Sequence, residues 1–86
     1  MDINQLISIV KNKIEKEIRV ENIRIEDKSY IHKNHSGNID GKYHLKISIK
    51  SEELKKMRKI ESNKKIYKIL QDEMKQFIHS LQIFVN

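Results

Sequence analysis

Apolar residues return along this chain at two different intervals, and each change of interval marks the edge of an element. Ile3, Leu6, Ile7, Val10, Ile14 and Ile18 recur every three or four residues, with Lys11, Lys13, Glu15 and Lys16 between them. That spacing gathers the apolar side chains on one face of a helix, and Asp2 stands where a carboxylate caps its first free amides. From Val20 to Glu26 the period falls to two, Ile23 and Ile25 alternating with Asn22, Arg24 and Glu26, as in a strand with one wet face. No period survives from Asp27 to Gly41, where the polar run Lys33-Asn34-His35-Ser36-Gly37-Asn38-Ile39-Asp40-Gly41 predicts a long exposed loop. Tyr43, Leu45, Ile47 and Ile49 then alternate with His44, Lys46, Ser48 and Lys50, which predicts a second strand antiparallel to the first, with the loop as the hairpin end.

Ser51 is placed to cap a short helix that carries Glu52 and Glu53 against the positive end of its dipole, turns Leu54 and Met57 inward, and ends near Arg58. Glu61, Ser62 or Asn63 is expected to open the next helix, whose stripe is Ile66, Ile69, Leu70, Met74 and Phe77. From Phe77 to Asn86 the period changes again. Leu81, Ile83 and Val85 alternate with Ser80 and Gln82, and His79 falls in phase with the apolar set, its ring aimed toward the packed side. The order is αββααβ, with three amphipathic helices covering one face of a sheet, an α+β two-layer sandwich. Tyr30, Tyr43, Tyr67, Phe77 and Phe84 fall on core or strand parities and read as packing residues.

A chain of 86 residues supports one core, so residues 1–86 form a single domain. The absence of proline and the presence of only two glycines argue against a linker or low-complexity tail. No cysteine is present, which removes disulfides, thiolate nucleophiles, cysteine-ligated zinc and a self-contained iron–sulfur site. The N-terminal residues lack a secretory signal and no apolar run reaches membrane-spanning length, so a cytoplasmic protein without membrane contact is expected. The net charge of +6 favours phosphates, anionic lipid heads or an acidic partner surface. Much of that charge is lysine in an isoleucine-rich chain, a bias that an AT-rich genome produces without selection for a ligand.

Four histidines carry the remaining chemistry. His79, at the start of the last strand, is either a core histidine held by a hydrogen bond or a metal ligand at the surface. His32 and His35 stand three apart on the long loop, a common spacing, and are either solvated or ligands. His44 shares parity with Lys46 and Ser48, which makes it structural or solvent-exposed. A site built from a loop histidine and His79 needs the hairpin tip and the last strand's start to be neighbours, and two imidazoles leave two positions open on a tetrahedral metal. Lys55, Lys56, Arg58 and Lys59, followed by Lys64, Lys65 and Lys68, spread positive charge over the central helices and their turn, either a solvated face or a helix-turn-helix against DNA. The element order is also that of the second type of KH domain, but Met57-Arg58-Lys59-Ile60-Glu61-Ser62 has no glycine to form the KH clamp on RNA. No nucleophile, phosphate loop or acid pair supports an enzyme.

Taken together, Asp27-Lys28-Ser29-Tyr30-Ile31-His32, His35-Ser36-Gly37, His44-Leu45-Lys46-Ile47, Ile66-Tyr67 with Leu70, and Ile78-His79-Ser80-Leu81 resemble the BolA family over nearly the whole chain. The most specific part is Ile78-His79-Ser80-Leu81, which looks like the family's I/V-H-A-L. The resemblance implies a KH-like fold with a three-stranded mixed sheet, and a non-enzymatic partner of monothiol glutaredoxins. In such heterodimers a [2Fe–2S] cluster is shared, with one cysteine from glutaredoxin and one from glutathione. Carried over by residue, the resemblance implies His79 as one ligand and His32 as the loop ligand of a histidine-type member, with His35 as the alternate. It implies transcriptional roles for some members as well, so DNA binding through the basic helical face is the competing expectation. The chain departs from the family at the head of the long helix, where Ser62-Asn63-Lys64-Lys65 replaces an R-H-R-like cluster, and lysines do not copy arginine's planar fork.

Overall fold

Asp2 and Gln5 close a reciprocal capping box at the start of α1 (Ile3–Glu17), the carboxylate accepting from Gln5 N–H at 2.9 Å and Gln5 Oε1 accepting from Asp2 N–H at 3.2 Å. In this computed structural model, which describes residues 1–29 and 42–86, α1 is followed by β1 (Asn22–Asp27) and β2 (Tyr43–Lys50). Three helical segments come next, α2 (Glu52–Lys55), α3 (Lys59–Ile69) and α4 (Gln71–Gln76), and then β3 (Ile78–Val85). β2 is the central strand of a three-stranded sheet, antiparallel to β1 and parallel to β3. The fold is the expected α+β sandwich on a mixed sheet. No described helix is long and apolar enough to cross a membrane.

Leu6, Val10, Ile14 and Ile18 of the first helical stripe meet Leu45, Ile47 and Ile49 of β2, with Leu54, Ile66, Leu70, Ile78 and Leu81 completing one buried cluster. Each fully buried leucine or isoleucine contributes about 1.5–3 kcal/mol from the area it removes from water. Ser51 ties this core to the surface. Wholly buried, its hydroxyl donates to the Arg19 carbonyl at 2.8 Å and accepts from Leu54 N–H at 3.3 Å, capping α2 while fastening it to the α1–β1 connection.

Two boundaries differ from the sequence expectation. α3 opens at Lys59, two residues before the first of the expected caps, because Glu61 acts as its third residue and not as its cap. The Glu61 carboxylate accepts from Arg58 N–H at 3.1 Å. The expected single helix to Phe77 is divided at Leu70, whose φ of −98° and ψ of 19° leave the helical basin. The stripe Ile66, Ile69, Leu70, Met74 runs across the division, so its periodicity reads as one helix.

Beyond β1 the chain is tied back to the start of β2. Lys28 N–H donates to the His44 carbonyl at 2.7 Å, and His44 N–H donates to Ser29 Oγ at 3.1 Å. Ser29 is itself held by Asp27 Oδ1, which accepts its N–H at 2.9 Å. His32 and His35, with most of the expected loop, lie outside the described residues.

Candidate functional site

The start of β3 is irregular, and the irregularity decides where His79 points. Tyr43 pairs with Ile78 and His44 pairs with Ser80, so His79 is an extra residue with no partner in β2. Ile78 and Leu81 face the core, and the bulge places two residues between them where regular alternation admits one. His79 is therefore turned out to solvent. This corrects the expected phase, which assumed an unbroken period from Val85 back to His79. Phe84, read from the sequence as a packing residue, is instead 49% exposed on the open face of the sheet beneath Lys46 Nζ, 5.1 Å from its ring centroid.

His44 turns off the apolar face of β2, as its parity requires, yet it is buried. Its Nδ1 lies 2.6 Å from Ser80 Oγ, and its ring meets that of His79 edge-on, with centroids 4.9 Å apart and planes at 68°. Pairing of β2 with β3 thus brings together two histidines that are far apart in sequence. The sequence signal for this was weak, because the contact depends on the bulge register and not on residue type. Among the described residues neither ring nitrogen of His79 takes part in a hydrogen bond, and no set of three or more His, Asp or Glu side chains is arranged to hold a metal ion. An exposed imidazole, steadied on one edge by a buried one, is a single donor suited to completing a coordination sphere supplied largely from elsewhere.

The described ends of the hairpin connection reach the same corner. Tyr43 N–H donates to the Phe77 carbonyl at 2.8 Å, so the chain enters β2 beside the residues that open β3. The base of the connection thus lies beside the start of β3, and its tip falls outside the described residues.

Some of the basic residues divide between two grooves. Lys55 and Lys59 line a groove against the end of β3, whereas Lys65 and Lys68 line another with Lys13 and Lys16 of α1. Lys65 Nζ is paired with Glu53 Oε2 at 2.9 Å, and that hydrogen bond, with a second from Arg19 N–H, holds the Glu53 carboxyl below its ordinary value. Arg58 Nε lies 3.4 Å from Glu61 Oε1. Lys56 and Lys64 are exposed. Lys13 Nζ donates to the buried Glu73 at 2.8 Å, which raises the Lys13 pKa above its usual value.

The family model described as BolA-like protein matches residues 14–86. A DNA-binding transcriptional regulator BolA from Haemophilus influenzae is 32% identical over 75 residues, covering 87% of this chain and 70% of that protein. SufE-like protein 1, chloroplastic/mitochondrial, from Arabidopsis thaliana is 33% identical over 79 residues, which span 86% of this chain but 21% of that longer protein. The solved BolA domain of SufE1 from Arabidopsis thaliana superposes with a TM-score of 0.78 at 27% identity, covering 100% of this chain and 93% of that one. A bol-like protein from Babesia bovis shares the fold, with a TM-score of 0.70 at 15% identity over 91% of this chain and 79% of that one.

Proposed function

The chain belongs to the BolA-like protein family, and from that membership we propose that it is a non-enzymatic accessory of iron–sulfur cluster handling, forming a heterodimer with a monothiol glutaredoxin. The cargo in this reading is a [2Fe–2S] cluster shared with a glutaredoxin cysteine and with glutathione. The observation that carries the reading is His79, an exposed imidazole without a hydrogen bond, set out by a bulge beside the base of the hairpin connection. A chain with no cysteine offers imidazole and not thiolate, so it holds a cluster only with a thiol-bearing partner. His79 supplies one ligand, and His32, or else His35, supplies the loop ligand. Imidazole ligation of one iron raises the cluster's reduction potential relative to four thiolates. Occurrence of a BolA domain within a SufE-like protein supports the same assignment.

Mixing the protein with cluster-loaded glutaredoxin and glutathione is expected to change the visible absorption and circular dichroism. His79→Ala should return both spectra to those of glutaredoxin alone, and a variant that behaves as the native chain rules out His79 as a ligand. His32→Ala and His35→Ala, measured singly, distinguish the two loop candidates.

A second reading, a DNA-binding regulator, is favoured by the name of the Haemophilus relative and by the exposed Lys55, Lys56, Arg58, Lys59, Lys64 and Lys68. It predicts affinity that falls with salt at a log–log slope of about −0.9 per phosphate neutralised. Binding that survives replacement of Lys64, Lys65 and Lys68 by glutamine removes this use of the helical face.

A further inference from the structure

The outer edge of β3 borders a groove that neither reading above uses as a whole. Asn86 donates its N–H to the Ile49 carbonyl at 2.7 Å, so the even-numbered residues after the bulge turn their backbone groups toward β2. The odd-numbered residues turn theirs away, and the Tyr67 hydroxyl accordingly donates to the Leu81 carbonyl at 3.0 Å from the far side. Past that capped carbonyl, the N–H and C=O groups of Ile83 and Val85 stand on an open edge, since β3 is the last strand in the order β1-β2-β3. Across a groove of about 320 Å³ they face Leu54 and Met57, with Lys55 and Lys59 on its rim. Neither lysine is in an ion pair among the described residues.

We propose that this groove binds an extended acidic segment of a partner protein, which adds as a fourth strand beside β3. An added strand offers donors and acceptors every second residue, about 6.6 Å apart, the interval at which Ile83 and Val85 present theirs. Its apolar side chains cover the half-buried Met57, and its carboxylates reach Lys55 and Lys59 at the rim. A nucleic-acid strand fits less well because it carries no such ladder of alternating amides. The turn through Arg58 has no glycine that would let the backbone approach a phosphate, and Arg58 is engaged by Glu61. Unpaired edges are ordinarily blunted by proline, by a covering element or by charge; among the described residues the Tyr67 hydroxyl caps this edge at Leu81 and stops short of Ile83.

The test uses the full chain, a fluorescent peptide alternating glutamate and valine, its glutamine counterpart, and a labelled thymidine oligonucleotide. Saturable anisotropy with the glutamate peptide is expected, together with new hydrogen-exchange protection at the Ile83 and Val85 amides. Joint Lys55→Glu and Lys59→Glu substitution should weaken that binding at least about tenfold. Val85→Pro, which deletes an N–H directed away from β2 and no ladder bond, should abolish binding, whereas Val85→Ala, which trims the same half-buried side chain but keeps the N–H, should still bind the peptide. The proposal is overturned by failure of the glutamate peptide to bind, by equal binding of the glutamine peptide, or by native-like binding of Val85→Pro. Protection of Ile83 and Val85 by the oligonucleotide alone overturns it as well, and assigns the groove to nucleic acid.

Discussion

His79 owes its exposure to one unpaired position, and His44 owes its burial to the strand that passes beside it. Neither property follows from residue type. Ser80 Oγ is the side-chain partner of His44 Nδ1, so Ser80→Ala leaves a buried ring nitrogen without it and should cost about 1 kcal/mol in chemical denaturation. The histidine ring resonances of both residues should move in the same variant, because His44 bears edge-on against His79. Lys65 and Glu53 give a second prediction. The Glu53 carboxyl lies below its ordinary value of 4.5, so its contribution to stability is present above that pH and lost as the pH falls through the lowered value. Lys65→Gln should bring the Glu53 titration, followed by carboxyl carbon resonances, back toward 4.5. Lys13 has the opposite sign. Held above 10.5 chiefly by its hydrogen bond with Glu73, it stabilises below that pH and loses the contribution as the pH rises through the raised value.

At the scale of elements, Ser51 joins the cap of α2 to the Arg19 carbonyl, and Ser51→Ala is expected to cost about 1–2 kcal/mol in urea unfolding without changing the sheet. Most elements were legible because side-chain period and caps are local. Asp2, Ser51 and the alternation through Tyr43–Lys50 each specify what forms around them. The division at Leu70 was not legible, since the apolar stripe keeps its period on both sides of it. The bulge was hidden for a related reason: an extra residue in one strand is defined by its partner strand, and no property of Ile78-His79-Ser80-Leu81 alone announces it. Hence the apolar positions of the core were readable while the direction of His79 was not. Phe84 failed as a packing residue on the same strand because, among the described residues, its face of the sheet carries no layer of helices.

For the whole molecule, the parallel pairing of β3 with β2 and the antiparallel pairing of β1 bring three chain segments to one corner: the end of β1, the start of β2 and the start of β3. That corner holds His79, His44 and both described ends of the hairpin connection, while the far end of β3 meets α2 and the turn into α3. One small sheet thus offers two separate surfaces, a histidine corner, proposed to take a shared cluster, and an open edge, proposed to take a partner segment. Ile47→Ala, in the middle of the central strand and fully buried, should cost about 2–5 kcal/mol and loosen both ends together. The most direct measurement of the central claim is pulsed electron paramagnetic resonance of the reduced, cluster-bearing mixture with glutaredoxin and glutathione, the histidines of this chain alone being labelled with nitrogen-15. Strong coupling of the iron centre to labelled imidazole nitrogen, reduced or lost in His79→Ala, is the predicted result. A cluster spectrum with no coupling to labelled nitrogen, or one that His79→Ala leaves unchanged, would contradict the account.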